Sequence, residues 1–355
     1  QIQTRRRFLD SVLGGMGSAA LASLLAVEGR GATGATGEPS ETAIPMAPRP
    51  PHFAPKAKNV IFLFQAGAPS QIDLFDPKPE LHKWDGSPLP ESLAKNLQLA
   101  FIKPSAKVLA SRRAFHRAGE CGMELSEWLP HTSAIADEIC LVRSMHGESV
   151  NHHPGQALLM SGSPLLGRPT GGAWVTYGLG SESRDLPGFV VLKTGSSTQG
   201  STGNWTNGFL PSTYQGVLFR SEGDAILHLS NPPGITAQMQ RQDLDAIRDL
   251  NQAHLERTGD REIASRIASY ELAFRMQAAA PGLIDFSDEP EHIRRMYGLD
   301  DETTRAYGTS CLLARRLVER GVRFVLNQHA QWDHHSNLDK GLSQKCRTTD
   351  KPAAA

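Results

Sequence analysis

An apolar run that leads into an acid and two imidazoles is the most informative part of this sequence: Val322-Arg323-Phe324-Val325-Leu326, then Trp332-Asp333-His334-His335-Ser336-Asn337. The run is typical of a buried strand, and buried strands that end in Asp and His deliver metal ligands to the edge of a sheet. In extended backbone, Asp333 shares a face with His335 while His334 points the other way. The stretch therefore indicates a metal site past the carboxyl end of a strand. A solvated polar loop is the alternative interpretation.

A second histidine cluster follows another strand-like run. Residues 139–143 (Ile-Cys-Leu-Val-Arg) precede His146-Gly147-Glu148-Ser149-Val150-Asn151-His152-His153-Pro154. Pro154 predicts the start of a short helix, which places His152 and His153 at an N-terminus that favours phosphate or sulfate. The two clusters hold five of the thirteen histidines. We expect the two loops to converge at one edge of a parallel sheet.

Charge and composition exclude several classes of partner. Lys plus Arg equal Asp plus Glu at 37 each in 355 residues, and 39% of the residues are apolar. This length supports one large α/β domain or two smaller ones. The balanced charge predicts neither nucleic acid nor an anionic membrane as a partner. A small-molecule or glycan substrate fits better.

The N-terminus has the layout of a twin-arginine export signal. Thr4-Arg5-Arg6-Arg7-Phe8-Leu9 precedes a Gly-, Ala- and Leu-rich run too short to span a bilayer stably. We predict a signal over residues 1–28, a flexible linker over residues 29–57, and a periplasmic or secreted protein with no stable membrane span. A basic N-terminal helix retained on the protein is the alternative. The chain also reads as a fragment that lacks its C-terminal part.

Two further strands are predicted around these loops. Asn59-Val60-Ile61-Phe62-Leu63-Phe64 is a continuous apolar run typical of a central strand buried on both faces, and residues 188–192 resemble it. The Ile-Cys-Leu-Val-Arg run makes Cys140 an expected core thiol, like Cys311. No Cys-x-x-Cys pair is present, so a zinc finger or redox pair is not expected.

Helical spacing of apolar residues covers much of the remaining chain. Pro130 is expected to interrupt the first helix, and Gly321 to end the last. Trp174 and Tyr177, three residues apart, are expected in the core. The predicted helices cover residues 124–138, 235–276 and 302–320.

An ordered series of motifs resembles one exported bacterial family, domain of unknown function family 1501, which is grouped with the alkaline phosphatase and sulfatase superfamily. The resemblance runs from Lys58 almost to the end of the chain. Its motifs are residues 59–64, Pro69-Ser70-Gln71-Ile72-Asp73-Leu74-Phe75-Asp76-Pro77-Lys78-Pro79, Gly167-Arg168-Pro169, Trp174-Val175-Thr176-Tyr177-Gly178-Leu179-Gly180, Asn204-Trp205, Gly208-Phe209-Leu210-Pro211 and Trp332-Asp333-His334-His335.

The resemblance implies a fold and a chemistry. The fold is α/β, an alkaline phosphatase-like three-layer sandwich with a mostly parallel central sheet, of which residues 58–355 would form an N-terminal portion truncated at its C-terminal end. The chemistry is metal-assisted hydrolysis of sulfate or phosphate esters, in which the cation offsets charge on the ester oxygens. In the superfamily an Asp after the first strand binds metal, a Ser, Thr or modified Cys at a helix N-terminus attacks the ester, and later Asp/His pairs complete the metal site.

Four residues are candidate metal ligands. Asp333 with His334 or His335 matches the superfamily's later pair. The first acidic position falls on Ala66 or Gly67, so Asp73 is the candidate replacement, with Asp76 as the alternative. An Asx-turn or helix cap explains either residue equally well. Zinc suits this His and Asp set better than calcium, which prefers oxygen donors.

Four more residues are candidates for contact with the ester. His152 stands where the superfamily's nucleophile should be, so His152 and His153 are the catalytic candidates. Either could instead bind metal or loop carbonyls. Arg168 and Asn151 are candidate substrate-binding residues, and a surface salt bridge is the commoner use of Arg168. Ser149 is the nearest hydroxyl.

Three functions remain open on the sequence alone. The first is an exported, metal-dependent hydrolase of sulfate or phosphate esters. The second is a non-catalytic protein of the same fold that binds sulfated or phosphorylated glycans, because the first acid is displaced and the hydroxyl nucleophile is absent. The third is a scaffold for a cell-surface complex, suggested by the helical stretch over residues 235–276.

Overall fold

The strand that leads to Asp333 is enclosed on both sides. The computed structural model describes residues 46–94, 105–195, 201–220 and 231–355. Within these ranges, four parallel strands form a sheet in the order β1-β6-β4-β5, and two antiparallel strands form a hairpin. The strands are β1 (Val60–Gln65), β2 (Phe115–Ala118), β3 (Met123–Ser126), β4 (Phe189–Thr194), β5 (Val217–Arg220) and β6 (Phe324–His329).

Helices of nine or more residues account for most of the described helical structure. Thr236, Asp260 and Asp301 cap three of them by accepting a backbone N–H in the first turn, which is the usual role of these residue types. The helices are α1 (His152–Ser161), α2 (Gly171–Leu179), α3 (Ala237–Thr258), α4 (Arg261–Ala279), α5 (Glu302–Glu319) and α6 (Leu338–Ala354).

Shorter helices lie between these elements. Their described bounds are Gln71–Leu74, Pro79–Trp84, Glu91–Ala94, Pro130–Ala134, Ala136–Glu138, Ser201–Trp205, Ser212–Tyr214, Pro281–Ile284 and Glu291–Met296.

Apolar clusters cover both faces of the sheet. On one face, Val190 and Val325 pack with Leu313 and Leu317 of α5. The opposite face forms a second cluster, made by Phe64, Met160, Phe189, Val191, Trp205 and Leu326. Because both faces are covered, the strands read as continuous apolar runs instead of alternating ones. The fold is therefore mixed α/β with a parallel sheet, as predicted.

Several predicted elements agree with the structure. The strand over residues 188–192 is β4, and the helix over residues 302–320 is α5. Gly321 follows α5 at φ 84°, the conformation that glycine favours after a helix. The helical stretch 235–276 divides into α3 and α4 at Gly259, which ends α3 with φ 67°.

The first apolar run does form a strand, but its predicted position was wrong. β1 lies at the edge of the described sheet, and Val60 and Ile61 are each 39% exposed. Only the second half of β1 packs closely, with Phe64 buried against Met160 and Leu326. An apolar run predicts that a segment packs against the core, but it does not predict which strands lie on either side of it.

The segment before the second histidine cluster also differs from prediction. Residues 139–143 are irregular and mostly exposed, so they form neither a strand nor a core. The predicted helix over residues 124–138 is replaced by β3 and two short helical turns. Pro130 begins the first of these turns instead of interrupting a longer helix, because the first turn needs no N–H from proline.

The aromatic pair on α2 lies at the surface instead of in the core. Trp174 and Tyr177 are 44% and 42% exposed. They meet edge to face with ring centroids 6.0 Å apart, and Phe209 and Tyr214 extend the row. The helical spacing correctly placed the two rings on one face of α2, but that face is turned toward solvent.

The four cysteines divide into two exposed and two buried thiols. Cys311 is buried as predicted, whereas Cys140 is exposed and not a core residue. Burial raises the pKa of Cys311 to about 12, and burial together with Asp350 raises that of Cys346 to about 12. Since the thiolate is the reactive form, Cys311 and Cys346 are protected from alkylation both by burial and by their raised pKa values.

We therefore expect iodoacetamide to alkylate Cys121 and Cys140 in the folded protein and to leave Cys311 and Cys346 unmodified. Peptide mass mapping after a short reaction at pH 8 measures this directly. The same reaction in denaturant should modify all four and serves as the control. Protection of Cys140 in the folded protein would contradict its exposed position.

The N-terminal predictions lie largely outside the described residues. The signal over residues 1–28 and most of the linker belong to residues 1–45, which the structure does not describe. The described part of the linker begins with contacts: Ser181 N–H donates to Met46 O at 2.9 Å, and Arg49 N–H donates to Leu179 O at 3.0 Å. Within the described ranges, no helix is both long enough and apolar enough to cross a membrane.

Candidate metal centre

Three side chains from two distant loops meet beyond the carboxyl end of β6. Nε2 of His152 and Nε2 of His335 each lie 2.8 Å from Oδ2 of Asp333. One potential ligand atom from each of the three residues lies within 4.8 Å of the others. A carboxylate only accepts, so both rings present an N–H to the same oxygen. The predicted convergence of the two loops is confirmed, and we call these three residues the triad.

Backbone pairing past the ends of the strands fixes the loop that carries Asp333. Ala66 N–H donates to His329 O at 2.8 Å, and Trp332 N–H donates back to Ala66 O at 3.0 Å. These two bonds extend the pairing of β1 with β6 past the ends of the strands. The two backbone segments therefore remain hydrogen-bonded up to Trp332, the residue before Asp333. The carboxylate is therefore held by a backbone ladder and not by a free loop.

Gly67 has no room for a side chain. Its φ is 106°, and a Cβ built there would lie 2.6 Å from Asp333 N. The backbone of the Asp333 loop thus fills the space that a side chain at position 67 would need. Nearby, Ala68 and Gln331 also have positive φ values, 66° and 69°. Such conformations cost about 1 kcal/mol or more in non-glycine residues and are concentrated at functional sites.

α1 delivers His152 to the triad. The helix begins at His152, after Asn151 in extended conformation, and Pro154 occupies the first turn, where its missing N–H costs nothing. Ser149 packs beside the helix, 3.8 Å from the position that a Cβ on Gly155 would take. The predicted helix is confirmed, with its start two residues before Pro154.

The other predicted ligands lie elsewhere. His334 turns away from the triad, as the alternation of an extended chain predicts, and lies against Gly341 of α6. Asp73 is buried and accepts a hydrogen bond from the Ser70 hydroxyl at 2.5 Å. Neither residue belongs to the clustered set.

The remaining candidates are exposed. His153 follows His152 at the start of α1, and Asn151 makes no side-chain cap bond there. Arg168 is exposed before the buried Pro169, in a loop whose backbone closely approaches Gly208. Catalytic and substrate-binding roles for these three residues remain predictions.

One comparison with known proteins identifies the family. Residues 57–355 match the family described as "Protein of unknown function (DUF1501)". The chain belongs to this family. The resemblance read from the motifs is thereby confirmed, while the grouping with alkaline phosphatases and sulfatases remains a prediction. No curated protein and no solved structure matches the chain.

A buried imidazole, that of His329, contacts the residue that precedes Asp333 in this DUF1501 chain. His329, the last residue of β6, accepts a hydrogen bond at Nδ1 from the indole N–H of Trp332 at 3.0 Å. Its ring packs edge to face on Tyr307 of α5, with centroids 5.1 Å apart. Burial, with a smaller effect from the Lys345 ammonium, lowers the pKa of His329 from 6.5 to about 4. His329 is therefore neutral at pH 7.

This shift predicts a loss of stability in mild acid. The folded pKa lies below the unfolded value, so the stabilisation is complete above about pH 6.5 and is lost as the pH falls toward 4. For His329 alone, we expect the free energy of unfolding to fall by about 2 kcal/mol between pH 7 and pH 5.

Urea unfolding at both pH values measures the effect. His329→Asn is the informative variant, because its amide oxygen can still accept from Trp332 but does not titrate. The difference between the two pH values should shrink in this variant. It should not vanish, because burial also lowers the pKa of His334. An unchanged difference would show that His329 is not the titrating group.

Sequence reasoning missed two buried carboxamides on the helix and the strand that lead to the triad. Gln328 is completely buried in β6, and neither atom of its amide has a hydrogen-bond partner. Gln156 of α1 is also buried, accepts from Asn204 at 2.9 Å and leaves its Nε2 unpaired. The signal was present in the sequence, because Asn327-Gln328-His329 continues an apolar strand with three polar residues.

Proposed function

We propose that this chain is an exported, zinc-dependent hydrolase of sulfate or phosphate esters with an alkaline phosphatase-like fold. The observation that carries the proposal is the triad, in which His152 and His335 meet Asp333 although 181 residues separate His152 from Asp333. The parallel sheet supports it, because ligand sites in such folds lie beyond the carboxyl ends of the strands. Export rests on the sequence of residues 1–28.

The donor set fits a catalytic zinc ion. Two imidazoles and one carboxylate are a common zinc set, and a fourth position then stays open for water or substrate. Tetrahedral ligands about 2.0–2.1 Å from zinc lie roughly 3.3 Å apart, so each 2.8 Å separation would have to widen by about half an ångström. The same donors also hold non-haem iron(II), which makes the identity of the metal part of the test.

The protein's own residues would orient both cation and ester. When bound, the cation supplies Lewis acidity toward the ester oxygens and lowers the pKa of water. Without the cation, Oδ2 of Asp333 accepts from Nε2 of both imidazoles. Binding the cation through the same two nitrogens would release both protons. α1 begins at His152, so the positive end of its dipole lies beside the site and would favour an anion. In this proposal His152 is a metal ligand. The exposed His153, next to it in the sequence, is then the candidate for proton transfer.

A non-catalytic glycan-binding protein is the second candidate. Gly67 leaves no space for a side chain, and the resemblance to sulfatases predicts the first acid at Ala66 or Gly67 and the nucleophile at His152. A site with these changes could still recognise a sulfated or phosphorylated glycan without cleaving it. Binding would then use the same edge of the sheet.

Metal analysis and two assays separate these functions. Full-length protein purified from the exporting cell should contain about one zinc per chain and should hydrolyse an aryl sulfate or an aryl phosphate. Zinc without turnover, together with binding of a sulfated polysaccharide, would favour the glycan-binding protein. Iron in place of zinc would replace the proposed cofactor, and absence of any divalent ion from the folded protein would overturn the hydrolase proposal.

A further inference from the structure

Two rows of side chains lead from the apolar core to the triad. On α1, Met160, Gln156 and His152 are spaced four residues apart and therefore lie on one face of the helix. On β6 and the residue after it, Leu326, Gln328 and Ala330 are spaced two residues apart and therefore lie on one face of the strand. Met160 and Leu326 belong to the same apolar cluster. Beyond the other end of both rows, His152 meets Asp333, which lies three residues after Ala330.

The middle residues of the two rows lie at the same depth. Four residues of helix rise about 6 Å, and two residues of strand rise about 6.7 Å. Because both rows start in one apolar cluster and lead toward the loops of the triad, this spacing puts Gln156 and Gln328 at similar depths between the cluster and the triad. Both side chains are more than nine-tenths buried.

These carboxamides do not satisfy each other. Gln156 Oε1 accepts from Asn204, but Gln156 Nε2, Gln328 Nε2 and Gln328 Oε1 have no partner. Buried polar atoms are nearly always hydrogen-bonded, so three unpaired amide atoms in one layer call for an explanation. Four amide hydrogens are available there against one free acceptor oxygen, which favours a ligand rich in acceptor oxygens.

We propose that Gln156 and Gln328 form a carboxamide subsite that binds the oxygens of a tetrahedral oxyanion, phosphate or sulfate, held against the triad. This inference rests on the proposed function and adds the residues that would grip the ester group. The amides donate hydrogen bonds without adding charge, while the N-terminus of α1 supplies a favourable field for the anion. The two side chains orient the ester and position it for the reaction at the triad.

Stability gives a first test that needs neither metal nor substrate. Gln328→Leu removes two unpaired buried atoms from the apolar layer, so we expect the melting temperature of metal-free protein to rise by about 2 °C or more. A fall in melting temperature would show that the amide is already engaged in the folded core and would overturn the subsite. For Gln156→Leu we expect no such rise, because that change also breaks the bond from Asn204.

Calorimetric titration with inorganic phosphate and with sodium sulfate gives the second test. In the zinc-loaded protein, Gln156→Leu and Gln328→Leu should each weaken anion binding at least tenfold and leave zinc affinity within twofold of wild type. The anion that binds identifies the ester class. Gln240→Leu on α3 is the matched control, since Gln240 also has an unpaired amide oxygen but lies on a helix that contributes nothing to the site.

The outcomes separate this inference from the proposed function. Wild-type affinity for both anions in the two variants, or no anion binding by zinc-loaded wild type, would overturn the carboxamide subsite and leave the metal site standing. Failure of wild type to bind zinc would overturn the proposed function. The subsite is then decided in metal-free protein, where phosphate or sulfate should raise the melting temperature of wild type but not that of Gln328→Leu.

Discussion

Asp333→Asn is expected to lower the zinc affinity of the folded protein at least about 100-fold. Oδ2 of Asp333 is the atom that both imidazoles contact, at 2.8 Å each. Replacing the carboxylate with an amide removes the only negative charge of the triad and the acceptor that fixes both rings. Competition with a chromophoric chelator measures the change in affinity, and elemental analysis of the purified protein provides an independent reading.

A matched change on α3 controls for the loss of charge. Asp249 is exposed and pairs with Arg248 at 3.2 Å, so Asp249→Asn should leave the zinc affinity unchanged. Circular dichroism should show both variants folded, because the side chains of the triad are 30% to 72% exposed and contribute little to the buried core. Wild-type zinc affinity in folded Asp333→Asn would exclude the triad as the metal site.

Gly67→Ala is expected to destabilise the fold by about 3 kcal/mol and to displace Asp333. The positive φ costs an L-residue about 1–2 kcal/mol, and the new Cβ would stand 2.6 Å from Asp333 N and 2.9 Å from Trp332 N. Those atoms are backbone, so they cannot rotate away. The ladder between Ala66 and Trp332 must shift, and the carboxylate shifts with it. Urea unfolding measures the stability, and the chelator assay measures the effect on zinc.

Gly86→Ala separates backbone strain from the steric clash. Gly86 has φ 74°, and a Cβ there would meet nothing within 4 Å. Its variant should lose only the conformational part, about 1–2 kcal/mol, and should bind zinc like wild type. Equal losses in the two variants would mean that the close approach of Gly67 to the Asp333 loop has no energetic consequence.

The geometry of the triad could be predicted from sequence because it follows from local rules. Strand alternation placed Asp333 and His335 on one side and His334 on the other, and the proline at the start of α1 placed His152 at a helix terminus. Both rules act over a few residues and depend little on the rest of the chain. Only the meeting of the two loops required tertiary structure, and the parallel sheet supplied it.

The errors concern properties that neighbouring elements decide. Residues 139–143 are as apolar as a strand, yet no described strand pairs with them, so they remain irregular. Trp174 and Tyr177 share a helix face as predicted, but the packing of α2 turns that face outward. Gln328 could not be predicted as a functional candidate, because polar residues are not expected in an enclosed strand and only the folded structure shows that its amide is buried without a partner.

The unequal confinement of the three ligands sets how a cation would come and go. His335 has 72% of its side chain exposed, against 34% for His152 and 30% for Asp333. His152 and Asp333 are partly buried and held by the fold, whereas the His335 ring can rotate into solvent without disturbing the core. A cation bound here would therefore exchange with solvent through the side of the site that His335 forms.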